Sequence, residues 1–171
     1  MILDDIKAAY RIGIGTDLHI LVPERPLMLG GVHVPFPAGL KGHSDGDVVL
    51  HAVMDALLGA AGMGDIGTLF PDKDPQFKDA DSKGLVLDVM DRLRENRWEI
   101  INLDLTIHAE RPRLETYKGQ IRRCVAGLLD MEFTAVNVKA KTNEGVDAVG
   151  RGEAIATTAI VLLREKPRRT L

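Results

Sequence analysis

The sequence predicts an α/β (α+β) protein with helices packed on one face of a single mixed sheet. Strict alternation of apolar residues at Ile101, Leu103, Leu105 and Ile107, and again over residues 136–140, marks strands. Apolar residues at helical spacing follow Ser44, Ser82 and Tyr117. The two periodicities interleave along the chain, with Gly-rich turns at both ends, which is the pattern of helices layered on a sheet. The 171 residues suffice for one domain with a sizeable core. We place that domain at residues 11–163, between an N-terminal extension (1–10) and a basic tail (164–171).

Taken in order, residues 11–19 open as a strand, and Asp17 and His19, two apart, point to the same side of extended backbone. Residues 27–34 hold Gly30-Gly31 between two apolar runs, the signature of a tight hairpin, with His33 facing outward. Ser44 with Asp47 three residues later reads as a capping box that starts a helix near Asp45. Val49, Val53, Ala56, Leu57 and Ala60 give that helix one buried face. Residues 68–75 are rich in turn formers and read as a surface loop, either a ligand lid or a plain connector. Ser82 reads as the N-cap of a second helix that buries Leu85, Val86, Val89, Met90 and Leu93. A strand over 101–108, a third helix carrying Tyr117, Ile121, Val125 and Leu128 and burying Cys124, a strand over 136–140 and a last apolar strand over 154–163 follow. No internal repeat or linker interrupts them.

Charged residues make up 27% and hydrophobic residues 45% of the chain, ordinary for a soluble globular protein. A net charge of −3 argues against general affinity for nucleic acid, and the basic tail reads as a solvated terminus. The single cysteine, Cys124, excludes an internal disulfide and fits a reducing compartment. No apolar run approaches a membrane span, and a short start carrying Asp4 and Asp5 is wrong for a signal peptide. The cytoplasm is the expected compartment. A P-loop, a complete dinucleotide fingerprint and a serine nucleophile elbow are all missing.

The chemistry concentrates in residues 42–67. Asp47, His51 and Asp55 are four apart and stack along one helix face, so a carboxylate there can hold a metal-binding imidazole. His51 can equally be a half-buried histidine satisfied by either acid. Asp17, His19 and His51 form a plausible three-ligand set, with two ligands at one strand end and the third on a helix. Imidazole with carboxylate suits zinc with an open fourth position better than magnesium, which prefers oxygen. The turn 139–145 combines Lys139, Lys141, Thr142 and Glu144 and reads as a phosphate and metal turn or as a charged strand end. Gly150-Arg151-Gly152-Glu153 is similarly open between anion binding and turn geometry.

Asp17-Leu18-His19, then His43-Ser44-Asp45-Gly46-Asp47 with His51 eight beyond His43, Gly64-Asp65-Ile66-Gly67, Phe70-Pro71-Asp72 and Gly150-Arg151-Gly152-Glu153 stand in one order. In that order the chain, from about Arg11 to about Leu163, resembles the 2-C-methyl-D-erythritol 2,4-cyclodiphosphate synthase family of the non-mevalonate isoprenoid (terpenoid) pathway. The resemblance implies a phosphorus-oxygen lyase. Its substrate is 4-diphosphocytidyl-2-C-methyl-D-erythritol 2-phosphate, whose 2-phosphate attacks the β-phosphorus to give the cyclic diphosphate and CMP.

It further implies that Asp17, His19 and His51 hold Zn2+, that Glu144 serves a second ion, Mg2+ or Mn2+, and that His43 and Thr142 stabilise the transition state. Ser44, Asp65, Ile66 and Gly67, with the loop Phe70, Pro71, Asp72, Lys73 and Asp74, match the part that holds the methylerythritol phosphate. Ala109, Glu110, Arg111, Pro112, Arg113, Leu114 and Glu115 match the cytidine pocket, with Lys141, Thr142 and Asn143 alongside and Arg151 near the diphosphate. A homotrimer with active sites between subunits is implied as well; no nucleic acid or membrane partner is. Thr16 and Ala148 stand where members often carry aromatics that cap an axial cavity able to hold isoprenoid diphosphates, and Arg113 stands where lysine is common. The main alternative is a zinc-dependent hydrolase of another phosphate ester, distinguished by its product; a non-catalytic trimeric binding module is the third reading.

Overall fold

The computed structural model describes residues 9–71, 73–77 and 80–167. In chain order the elements are β1 (Tyr10–Pro23), β2 (Leu27–Leu29), β3 (Val32–Val34), β4 (Ala38–Leu40), α1 (Val48–Ala61), α2 (Ile66–Leu69), α3 (Ser82–Glu95), β5 (Trp98–His108), α4 (Lys118–Leu128), β6 (Val136–Lys141), α5 (Asp147–Gly150) and β7 (Ala154–Glu165). Five strands make one sheet in the order β4-β1-β7-β5-β6. β5 and β6 pair parallel, joined through α4, and the other pairings in this sheet are antiparallel. The expected hairpin is present as β2–β3, and Gly30 and Gly31 turn it at φ of 61° and 74°, a region that glycine enters without a Cβ penalty.

The mixed sheet with helices on one face is as the sequence predicts. Leu103, Leu105 and Ile107 of β5 and Ile155, Thr157, Ala159, Val161 and Leu163 of β7 are buried on that face. α1 is apolar nearly all round and lies at the centre, with Val48, Val49, Ala52, Val53, Met54, Ala56 and Leu57 fully buried. It sits directly on β1. A Cβ added at Gly13 would lie 2.0 Å from the Ala56 carbonyl oxygen, and one at Gly15 would lie 2.0 Å from that of Ala52. Among the described residues nothing covers the opposite sheet face. Ile12, Ile14, Leu18 and Ile20 of β1 and Ile160 of β7 are exposed there, Ile12 by 75% and Ile14 by 64%. Among the described residues no helix is long and apolar enough to cross a membrane.

Several local expectations are corrected. α1 starts at Val48 and not near Asp45, because its cap is Asp47, whose carboxylate accepts from the Val49 and Leu50 amides. That same carboxylate takes the Gly30 and Gly31 amides at 2.8 and 2.6 Å, so the hairpin tip and the helix start share one buried acid. Ser44 forms no capping box. α3 is capped by Asp81, which accepts from the Lys83 amide, while Ser82 enters the first turn with its side chain buried. β1 runs unbroken to Pro23, placing Asp17 and His19 inside a long strand and not at its end. The loop after Gly64 contains the short helix α2, capped by Asp65. Cys124 is half-buried at the edge of α4 and is not a core residue. β7 runs to Glu165, so Arg164 and Glu165 belong to the strand. Residues 1–8, Asp72 and residues 168–171 lie outside the described residues.

Gly15→Val is expected to lower folding stability by about 3 kcal/mol, since the added side chain meets helix backbone and not a side chain that can rotate away. Urea unfolding checks it, and an unchanged midpoint would contradict the close contact.

Candidate active site

Alternation along β1 carries Gly13, Gly15, Asp17 and His19 on one face, and the glycines let α1 lie low enough for His51 to reach the two polar residues. Asp17 Oδ2 is 2.8 Å from His19 Nε2 and 3.0 Å from His51 Nδ1. The two ring nitrogens are 3.2 Å apart. Around a tetrahedral ion with bonds of about 2.0–2.1 Å, neighbouring ligand atoms stand about 3.3 Å apart. The three donors already lie close to that spacing, so the carboxylate–imidazole–imidazole set fits a divalent metal ion.

Each ligand is held by its surroundings. His19 Nδ1 donates to the Lys41 carbonyl at 2.5 Å, which leaves Nε2 facing Asp17 and His51. Burial pushes the Asp17 carboxyl up, but the hydrogen bonds and charges of His19 and His51 more than reverse this and hold it below the usual carboxylate range. Burial pushes His19 down, and the hydrogen bond and charge of Asp17 with the Lys41 carbonyl turn the net shift upward. The acids of the helix row do not hold His51. Asp47 is spent on backbone amides, and Asp55 accepts from the Ile66 amide at 2.8 Å, tying α1 to α2. Burial, opposed by that bond and joined by the charges of Asp65 and Asp17, raises the Asp55 carboxyl. What meets His51 Nε2 instead is a pair of serine hydroxyls, Ser44 and Ser82, each at 3.1 Å.

The triad opens into a cavity of about 610 Å³. His43 and Ser44 line it from the loop before α1, and Ile66, Gly67 and Phe70 from α2 and its exit, all expected from the sequence. His43 Nε2 is buried and has no hydrogen-bond partner among the described residues. Lys41, Gly42, Met54, Phe77 and Leu85 also line the cavity and were missed. Lys41 and Gly42 adjoin the His43 motif and could have been included on that ground, whereas Leu85 read as helix core and Met54 and Phe77 carry no signal of a site in their spacing. Asp65 caps α2 by accepting from the Thr68 amide at 2.7 Å. Pro71, Lys73 and Asp74 form the next turn and do not line the cavity; Asp72 is outside the described residues.

A second cavity, of about 130 Å³, gathers Ala109, Glu110, Arg113, Leu114, Glu115, Lys141 and Thr142 at the ends of β5 and β6. Arg111 and Pro112 belong to the same loop without lining it. Thr142 Oγ1 donates to Glu144 at 2.9 Å, and Asn143 Nδ2 donates to Asp147 at 2.9 Å. Glu144 takes φ of 51°, which turns the chain sharply after β6. Arg151 is exposed and pairs with Glu153 at 2.8 Å. The register Leu18–Ala156–His108–Lys141 sets both cavities at one level of the sheet. They lie three strand spacings, about 14 Å, apart. One chain does not bring Thr142 and Glu144 to the triad.

Fold and site together define an α/β protein in which three side chains that fit a divalent metal ion open into a cavity. Residues 10–164 match the model of the YgbB family, and the chain belongs to that family. Among curated relatives, the 2-C-methyl-D-erythritol 2,4-cyclodiphosphate synthase of Geobacillus kaustophilus is 52% identical over 156 residues, covering 91% of this chain and 99% of the relative. The protein of the same name from Treponema denticola is 50% identical over 153 residues, covering 90% and 95%. The fold matches the bifunctional IspDF of Campylobacter jejuni with a TM-score of 0.90 and 41% identity, over 94% of this chain but 43% of that one. It matches the CDP complex of Plasmodium falciparum IspF with a TM-score of 0.82 and 31% identity, over 93% and 98%.

The shifts at Asp17 and His19 set a pH dependence. In the metal-free protein the depressed Asp17 stabilises above about pH 3.9 and loses this as pH falls through its folded value; the raised His19 stabilises below about pH 6.5 and loses this as pH rises through its folded value. A metal ion must displace the His19 proton, so affinity for Zn2+, measured against a competing chelator, is expected to rise between about pH 6 and about pH 8 with release of about one proton at the lower end. Affinity flat across that range would contradict the assignment of His19 as a ligand.

Proposed function

We propose that the protein converts 4-diphosphocytidyl-2-C-methyl-D-erythritol 2-phosphate into 2-C-methyl-D-erythritol 2,4-cyclodiphosphate and CMP, as a phosphorus-oxygen lyase of the non-mevalonate isoprenoid pathway. The observation that carries the reading is the Asp17–His19–His51 cluster opening on the His43 and Ser44 cavity, in a chain about half identical to synthases of that name. An oxygen of the 2-phosphate bonds to the β-phosphorus while the bond from that phosphorus to the bridging oxygen breaks, and the electron pair leaves with CMP. No water enters. The nucleophile is already an anion, so the residues need to position and neutralise more than to remove a proton.

Zinc held by Asp17, His19 and His51, and Mg2+ or Mn2+ held by Glu144, would supply positive charge against the diphosphate. His43 has its free Nε2 to give to a phosphate oxygen, and Ser44, with the Ile66 and Gly67 backbone, borders the methylerythritol part. Asp65 and the loop of Phe70, Pro71, Asp72, Lys73 and Asp74 complete that side. The cytidine goes to the cavity of Ala109 to Glu115 with Lys141 and Thr142. Arg151, next to an exposed turn, faces the diphosphate once its bond to Glu153 opens. The hydrolase alternative has no observation in its favour, since the relatives named above are synthases.

A homotrimer completes the site. The exposed isoleucines of β1 and β7 form an apolar patch that a second copy would cover, and a neighbour could then set its nucleotide cavity against this chain's triad. We place the protein in the cytoplasm.

Phosphorus NMR of purified protein with the substrate and Mg2+ is expected to show CMP and a cyclic diphosphate appearing together. His51→Ala should abolish this and lose the zinc while circular dichroism stays that of the parent; inorganic phosphate as the product would favour the hydrolase. Ile14→Asp is expected to turn trimers into monomers in sedimentation velocity and to lose activity with the triad intact, and a trimeric Ile14→Asp protein would remove the sheet face as the contact.

A further inference from the structure

Resting on the metal site proposed above, we propose that Ser82, backed by Asp45, is a positioning residue that fixes the tautomer of His51 and so presents Nδ1 to the metal ion. The direction of each hydrogen bond follows from counting hydrogens. A carboxylate only accepts, and Asp45 Oδ1 takes the hydroxyl hydrogen of Ser82 at 2.5 Å. A serine hydroxyl has one hydrogen. Towards His51 Nε2, 3.1 Å away, Ser82 Oγ is therefore left as an acceptor, placed to take a hydrogen from Nε2. Without an ion, Nδ1 faces the Asp17 carboxylate at 3.0 Å and is its donor. Once an ion takes the place of that hydrogen, Nε2 keeps the ring proton for Ser82, and the Nδ1 lone pair points to where Asp17 Oδ2 and His19 Nε2 converge.

The relay is built and not incidental. Ser82 is fully buried. Asp45 is itself held by two backbone amides, that of Ser82 on Oδ2 and that of Asp47 on Oδ1, each at 3.2 Å. Its carboxylate cannot turn to offer Ser82 anything but an acceptor. Ser44 Oγ, also 3.1 Å from His51 Nε2, is a second acceptor for the same proton. His19 is fixed in the complementary way by a single carbonyl, that of Lys41; His51 lacks such a carbonyl and is fixed through a hydroxyl and an acid. Ser82 is also the point at which the segment following α2 enters α3, so the metal-binding imidazole is tied to that segment's end.

Long-range proton–nitrogen correlation spectra of the Zn2+-loaded, 15N-histidine-labelled protein read which ring nitrogen carries the proton. The expected result is His51 with its proton on Nε2, slow to exchange with water in the parent and fast in Ser82→Ala. Ser82→Ala should also weaken Zn2+ binding, measured against a chelator, about 10- to 100-fold with the far-ultraviolet circular dichroism unchanged. Ser82→Thr, which restores the hydroxyl, should recover most of that loss. Zn2+ held through Nε2 of His51 in the parent, or Zn2+ binding by Ser82→Ala equal to the parent's, would overturn the proposal. Failure of the parent to bind Zn2+ at all would instead overturn the metal site, and the proposal with it.

Discussion

The contact between the backbone of α1 and the two glycines of β1 is the constraint on which the rest of the molecule depends. Side chains at residues 13 and 15 would lift the helix by the width of a methyl group or more, and His51 would rise with it, away from Asp17 and His19. Because strand residues alternate, the two glycines and the two polar residues share one face of β1. One period-two pattern thus writes both the seat of the helix and the floor of the site. The apolar circumference of α1 then draws β7, β5, α3 and the β2–β3 hairpin around it, which makes it the centre of the core.

The site is a set of polar groups whose partners are assigned one by one. A carboxylate between two imidazoles is costly to bury unless its charge is met, and here the rings meet it until an ion does. The imidazoles are held in turn, one by a carbonyl from the loop before α1 and the other by hydroxyls from that loop and from α3. His43 departs from this economy, with a buried nitrogen that nothing among the described residues satisfies. The second cavity is smaller, is lined by Glu110, Arg113, Glu115 and Lys141 among others, and stands about three strands away.

Much of this was legible in the sequence. The Asp17–His19 spacing gave two ligands on one side of a strand, the Gly30-Gly31 pair gave the hairpin, and the ordered motifs gave the family. What failed did so for identifiable reasons. Ser44 and Asp47 stand at capping-box spacing, yet Asp47 is the better cap because the Gly30 and Gly31 amides, distant in sequence, converge on it; no local pattern contains that information. The helix row of Asp47, His51 and Asp55 has correct spacing and wrong partners, since each acid is claimed by backbone from another element. Ser82 looked like a cap because serine favours that position, and Asp81 one residue earlier fills it instead. Contacts between His51 and residues of α3 arise from helix packing, which short-range spacing does not encode.

The shared carboxylate beneath α1 also decides where phosphate charge can go. The free amides and macrodipole at a helix N-terminus make a ready anion site, and α1 would offer one a few residues from the cavity. Asp47 closes it: its carboxyl oxygens occupy the first-turn amides of Val49 and Leu50 and are locked there by the hairpin tip. An anionic ligand entering this cavity therefore does not find the start of α1 to rest on. Its charge falls to cations and side chains that can be exchanged or protonated, which leaves the grip on phosphate adjustable in a way that a backbone cradle is not.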